Sequence, residues 1–177
     1  MTDSQTAQID ERRGVDSQGD MRVLAALAAS CPGAAVVYLG ADSVEAAGSL
    51  LSGIDITTRL LLVSDTQTVA NRLHDSLPAD LRLSVHVQDF GGFLNDVKAH
   101  QFAFLVCGTT AASHVEDAAR LIAPGGFLVG ATGLPAIGAG SEWIVAPLGG
   151  ASWAWLATRR ARPVPRRRGG RGRPSSA

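Results

Sequence analysis

Short apolar runs alternate along the chain with stretches of helical periodicity, and this alternation predicts the elements in order. Asp20 opens a helix through MRVLAALAAS, which Cys31-Pro32-Gly33 breaks. A strand follows at 35–39, then a helix with Asp42 as cap and Glu45 three residues on, continuing through Ala46, Leu50 and Leu51. A second strand at 60–63 is apolar throughout, as a strand buried on both faces would be. Asp65 then caps the helix TQTVANRLHDSL, where Val69, Leu73 and Leu77 recur at helical spacing. Residues 81–87 alternate Leu81, Leu83, Val85 and Val87 with Arg82, Ser84 and His86, the pattern of a half-exposed edge strand. Asp89-Phe90-Gly91-Gly92 predicts a turn, and 93–98 a short helix. A fourth strand lies at 102–107. Ser113 and Glu116 have capping-box spacing before the helix HVEDAARLIA, which Pro124-Gly125-Gly126 ends, and a fifth strand follows at 127–129.

Strands and helices in alternation predict a parallel sheet with right-handed crossovers and helices on both faces. The pattern changes after the fifth strand. A link, GATGLPAIGAGS, leads to apolar segments at 142–147 and 152–158 separated by Leu148-Gly149-Gly150-Ala151, which is hairpin spacing. The sheet should therefore close with an antiparallel pair. Trp153 and Trp155 would share one face of its last strand by period 2, as core or as an oligomer interface. The stretch 34–51 is the centre of this plan, since a buried strand there delivers Gly40 to a helix N-terminus. That arrangement is the nucleotide-binding corner of open α/β sheets.

Composition adds limits. The 177 residues suffice for one domain of ordinary size, and 46% apolar with 18% charged residues describes a soluble globular protein. No apolar run is long enough to span a membrane, and the polar start MTDSQTAQIDERRG is no secretory signal. Cys31 and Cys107 stand far apart without metal-ligand spacing, so buried reduced thiols and a cytoplasmic location are expected. The net charge of zero conceals an asymmetry. Residues 1–158 carry all 16 acidic residues and 8 of the 16 basic ones, a balance of −8, and the eight arginines from Arg159 onward give +8. Three parts are expected: a disordered acidic lead-in at 1–19, one domain at 20–160, and a disordered Arg/Gly/Pro-rich tail at 161–177.

The order of segments resembles the class I S-adenosylmethionine-dependent methyltransferases, and within them the O-methyltransferases of the caffeoyl-CoA and catechol type. The segments that carry the resemblance are VVYLGADSVEAAGSLL, LLLVSDTQTVANRL, HVQDFGGFL, FAFLVCGTTAA, LIAPGGFLVG and WIVAPLGGASWAWLATRR. The penultimate one matches the family's leucine-x-x-proline-glycine-glycine signature, and the last its closing hairpin. The resemblance implies a Rossmann-like methyltransferase fold, with a mostly parallel seven-stranded sheet ending in an antiparallel hairpin. It also implies S-adenosylmethionine as cofactor, with Gly40, Asp42, Asp65 and Asp89 as the residues that would meet it.

Departures from the family pattern concern its chemistry. Asp42 and 44–46 replace most small positions of the glycine-rich first loop. Where the family has an acid that accepts both ribose hydroxyls, this chain has Val63, so Asp65 is either a helix cap or a displaced ribose ligand. Asp89 keeps the acid near the adenine. The family's metal positions fall on Gly108, Gly130 and Ala131, which offer no oxygen ligand in their side chains, so no metal is expected. No serine elbow, CxxC, HExxH or P-loop is present, and His74, His86, His100 and His114 have no paired spacing.

Arg171-Gly172-Arg173-Pro174 resembles the core of an AT-hook, whose arginines enter the narrow, electronegative minor groove of A·T-rich DNA. Three functions stay open at this point. The chain is a degenerate, non-catalytic O-methyltransferase-like module for binding or regulation with weak or no cofactor binding. Alternatively it is an active metal-independent methyltransferase, or a DNA-associated protein held by Arg171 and Arg173. The apolar closing hairpin suggests a homodimer, and no membrane partner is expected.

Overall fold

The computed structural model describes residues 19–132, 137, 142–148 and 153–161. The lead-in before residue 19, the tail beyond Ala161 with Arg171 and Arg173, and the predicted Gly149-Gly150 turn all lie outside the described residues. A helix at 19–29 (α1) precedes β1 (Ala35–Leu39), α2 (Val44–Gly53), β2 (Arg59–Ser64) and α3 (Gln67–Ser76). β3 (Leu83–Val87), α4 (Phe90–Asp96) and β4 (Phe102–Cys107) follow. A 3₁₀ segment (Thr109–His114) then runs into α5 (Val115–Ala119), β5 (Ile122–Gly130), β6 (Trp143–Pro147) and β7 (Trp155–Arg159). The strands form one seven-stranded sheet in the order β3-β2-β1-β4-β5-β7-β6. Five strands are parallel; β7 runs antiparallel between β5 and β6, as the hairpin spacing predicts.

Period-2 alternation sends the central strands into two cores. Val36 and Tyr38 of β1, Leu60 and Leu62 of β2, and Phe104 and Val106 of β4 pack with Leu24, Leu50 and Leu73 from α1, α2 and α3. Val37, Leu39, Val63, Leu105 and Cys107 face the other way, toward Phe93 of α4 and Ala118 of α5. Both faces of the sheet are thus covered by helices, which explains the unbroken apolar runs. Both cysteines are buried free thiols. Among the described residues no helix is long and apolar enough to cross a membrane.

The structure corrects several local expectations. Asp20 lies inside α1 and does not cap it. Tyr38 Oη donates to Asp42 Oδ1 at 2.8 Å, so Asp42 is engaged by β1 and the N-cap of α2 passes to Ser43. Ser43 Oγ accepts the Ala46 N–H at 3.1 Å. Asp65 is no cap either, because β2 extends to Ser64 and Thr66 takes the cap position of α3. Asp89 Oδ2 accepts the Gly92 N–H at 2.8 Å, which winds the predicted Gly91-Gly92 turn into the first turn of α4. Ser113 belongs to the 3₁₀ segment, so its expected capping box does not form. Pro124-Gly125-Gly126 sits within β5 rather than before it, at a register shift opposite Phe102 and Phe104. Leu81 precedes β3 and is fully exposed, where Asp80 and Arg82 pair in a turn. Trp153 falls outside β7, so the two tryptophans do not share a face: Trp153 packs with the first core and Trp155 with the second.

Candidate functional site

The sheet order reverses between β1 and β4, and a cavity opens at the carboxyl ends of these strands. Ligands bind at such switch points in open α/β sheets. The cavity has a volume of about 260 Å³. Tyr38, Asp42, Ser43 and Glu45 form one wall, and Gly108 and Thr109 a second. Among the described residues, Met21 of α1, Ala131 after β5 and Trp153 before β7 also line it.

Tyr38 reaches this place from the core. It is 1% exposed, and its ring meets that of Trp153 edge-on, with centroids 6.0 Å apart and planes at 73°. Burial, and next to it the Asp42 carboxylate, push the phenol well above its ordinary pKa, so it stays a neutral hydrogen-bond donor. Asp42 is fixed twice, by that donor and by Arg72 Nη2, which donates to its backbone carbonyl at 2.6 Å. Trp153 is 4% exposed, and its Nε1–H has no hydrogen-bond partner among the described residues.

Gly40, which opens the first loop, does not line this cavity, although Asp42, Ser43 and Glu45 do. Gly40 has φ +70°, a conformation that favours glycine. Its N–H and that of Ala41 both donate to the Val63 carbonyl, at 2.9 and 3.1 Å. A Cβ at Gly40 would stand 2.6 Å from Thr110 Oγ1 and 2.9 Å from Ala111 Cβ. The room that glycine provides is therefore taken up by the chain's own 3₁₀ segment. Gly108 likewise packs on Gly40, where a Cβ would overlap the Gly40 carbonyl oxygen. At the end of β5 a Cβ on Gly130 would lie 2.9 Å from Cη2 of the Trp155 indole and closer still to Cζ2 and Cε2. Trp155 is fully buried and donates from Nε1 to the Thr132 carbonyl at 2.6 Å.

The four residues expected at a cofactor do not converge. Only Asp42 lines the cavity. Gly40 is packed against the 3₁₀ segment, Asp65 is exposed beyond β2, and the Asp89 carboxylate is engaged in capping α4. Val63 is fully buried among Val37, Leu39 and Phe93, and Ser64, the last residue of β2, is buried with its hydroxyl bonded to the Thr66 backbone, so β2 itself ends without a carboxylate. Gly108, Gly130 and Ala131 present no metal ligand, and the described residues contain no group of three or more His, Cys, Asp or Glu that would hold an ion. Tyr38, Glu45, Thr109 and Met21 escaped sequence reasoning; a tyrosine in an otherwise apolar buried strand was the available signal for the first.

No family model matches the chain, and no curated protein matches it either. Solved structures do. A protein from Corynebacterium glutamicum superposes with TM-score 0.67 at 14% identity, over 91% of this chain and 92% of that one. An O-methyltransferase from Bacillus cereus in complex with S-adenosylhomocysteine gives 0.62 at 14%, over 87% and 91%. An O-methyltransferase from Streptomyces achromogenes in complex with S-adenosylmethionine gives 0.60 at 14%, over 81% and 80%. At these identities the likeness establishes the Rossmann-like methyltransferase fold and nothing narrower.

Proposed function

We propose that this chain is a degenerate O-methyltransferase-like domain, acting as a binding or regulatory module and not as a methyl-transfer catalyst. The fold is that of proteins solved with S-adenosylmethionine and its product, which makes that cofactor the first ligand to consider. One observation carries the reading. Near the end of β2, where a nucleoside would need a hydrogen-bond acceptor, the Val63 side chain is buried and apolar, the buried Ser64 hydroxyl is bonded to the Thr66 backbone, and the Val63 carbonyl already holds the two amide donors of the first loop. Breaking those bonds to free the donors would leave a buried carbonyl unpaired, at a cost of about 1–3 kcal/mol. The packing of Trp155 on Gly130 supports the same reading, because it fills the space a metal-binding side chain would need.

Calorimetric titration of the whole chain with S-adenosylmethionine and S-adenosylhomocysteine tests it. The expected result is no saturable heat, or a dissociation constant no tighter than about 1 mM, near −4 kcal/mol. Micromolar binding, accompanied by methyl transfer from S-adenosylmethionine to an acceptor, would overturn the proposal in favour of an active metal-independent enzyme.

A further inference from the structure

The two ends of the sheet differ in charge. Asp42, Glu45, Asp65 and Asp89 stand at the carboxyl ends of the parallel strands, beside the cavity or beyond β2 and β3. The amino ends carry cations instead. Arg59 opens β2, Lys98 lies in the turn that leads into β4, and the antiparallel β7 brings Arg159 and Arg160 to the same end. Arg59, Lys98 and Arg160 are exposed, and their side chains form no hydrogen bond or ion pair among the described residues. Arg59 and Arg160 are four strand steps apart across β1, β4 and β5, about 19 Å at the ordinary strand spacing. The carboxylates beside the same strand ends are already engaged. Asp55 accepts from Thr57 and Thr58, Asp80 from Arg82, and Glu142 from Arg159 at 3.2 Å. Asp75 and Asp96, near the ends of α3 and α4, face His74 and Gln88. Arg159 is a fixed point at this end: its Nη1 donates to the Ile122 carbonyl at 2.7 Å, and its guanidinium lies over the Trp143 ring, 5.7 Å from the centroid. The sequence that follows Arg160 and Ala161 holds six more arginines and no acid.

We propose that the amino end of the sheet and the arginine tail together form a surface for A·T-rich duplex DNA. A run of arginines gains affinity for phosphates by counterion release, and exposed cations on the domain add to it where the DNA backbone passes over them. Within the tail, Arg171-Gly172-Arg173 sets two guanidinium groups about a residue without a side chain, and Pro174 follows. Such a segment is thin enough for the minor groove, about 6 Å wide, which A·T tracts narrow further and make more negative. An RNA helix offers a wide, shallow minor groove instead. A membrane surface is disfavoured because Val164 is the only branched or aromatic apolar residue from Arg162 to Ala177, too little to anchor the segment. The inference goes beyond the reading of the cleft and does not depend on it, since the cavity lies at the opposite end of the sheet.

Fluorescence anisotropy of the full chain on an A·T-rich and a G·C-rich duplex of equal length tests it. The A·T duplex should bind in the micromolar range or tighter, at least about tenfold better than the G·C duplex. The seven arginines from Arg160 onward, with Arg59 and Lys98, set a slope of log affinity against log salt of about −8. The surface variant Arg59→Ala/Lys98→Ala should keep the A·T preference and make that slope shallower by about 2. Gly172→Leu, which keeps every charge, should keep the slope and reduce the A·T preference to less than about threefold. Equal binding of the two duplexes, a slope unchanged in Arg59→Ala/Lys98→Ala, or an A·T preference that survives Gly172→Leu would each overturn the proposal. So would the absence of binding at about 50 mM salt, or capture by phosphatidylserine vesicles at salt concentrations where neither duplex binds.

Discussion

Gly130→Ala forces one methyl group into the Trp155 indole. The added Cβ would stand 2.9 Å from Cη2 and closer to two further ring carbons, and the ring is fully buried with its N–H tied to Thr132. A rigid, hydrogen-bonded ring cannot rotate away as a flexible side chain would, so the upper end of the overpacking range applies, about 3 kcal/mol. Trp155→Phe alone removes ring volume and one hydrogen bond, at about 2–3 kcal/mol. Were the two independent, the double variant would lose about 5–6 kcal/mol. The smaller ring vacates the space the new methyl needs, so the double variant should lose only about 3–4 kcal/mol, a coupling of about 2 kcal/mol. Urea unfolding of the four proteins, followed by circular dichroism, measures this cycle. Additivity within about 0.5 kcal/mol would refute the packing argument. The same contact predicts that Gly130→Asp, which restores a carboxylate at a family metal position, destabilises the fold unless Trp155 is reduced as well.

Two further outcomes follow from titratable groups. Burial pushes the Cys107 thiol up to about 12 and raises that of Cys31 as well, so at pH 8 iodoacetamide should leave the folded protein unmodified and add two groups in denaturant. Intact mass measures this, and native alkylation of Cys107 at the unfolded rate would contradict it. Hydrogen bonds from Thr57 and Thr58 hold Asp55 down at about 2, and bonds from Arg82 do the same for Asp80, against an ordinary 3.8. Folded values below unfolded ones mean stability that is present above pH about 4 and lost as the pH falls toward 2. The urea midpoint should therefore drop over that window, and drop less in Asp80→Asn; parallel curves for the two proteins would exclude a role for the Asp80–Arg82 pair.

The strands were legible because each central one is an apolar run of the right length between turn residues, and β1 and β4 match their predicted bounds. Helix starts were less so. At Asp42-Ser43 and Asp65-Thr66 two capping residue types stand side by side, and which one caps depends on contacts beyond the local sequence: Tyr38 settles the first pair, and the extension of β2 to Ser64 the second. Gly91-Gly92 and Pro124-Gly125-Gly126 carry turn signals that tertiary pairing overrides, one inside α4 and the other inside β5. The cavity was legible at Asp42 alone. Its other walls come from α1, the segment after β4 and Trp153, distant in sequence and joined only by the topology.

The order β5-β7-β6 has a consequence for how the chain is made. β6 is synthesised before β7, yet its sole sheet neighbour among the described residues is β7, and β5 lacks that partner along one edge until β7 arrives to cover it. On a ribosome the domain therefore holds an open flank until Arg159 has cleared the exit tunnel, and only then do both strands lock together. A nascent chain arrested a few residues short of that point exposes the edge of β5 to any other extended peptide nearby, which makes the last strand the step at which this fold is most open to mispairing.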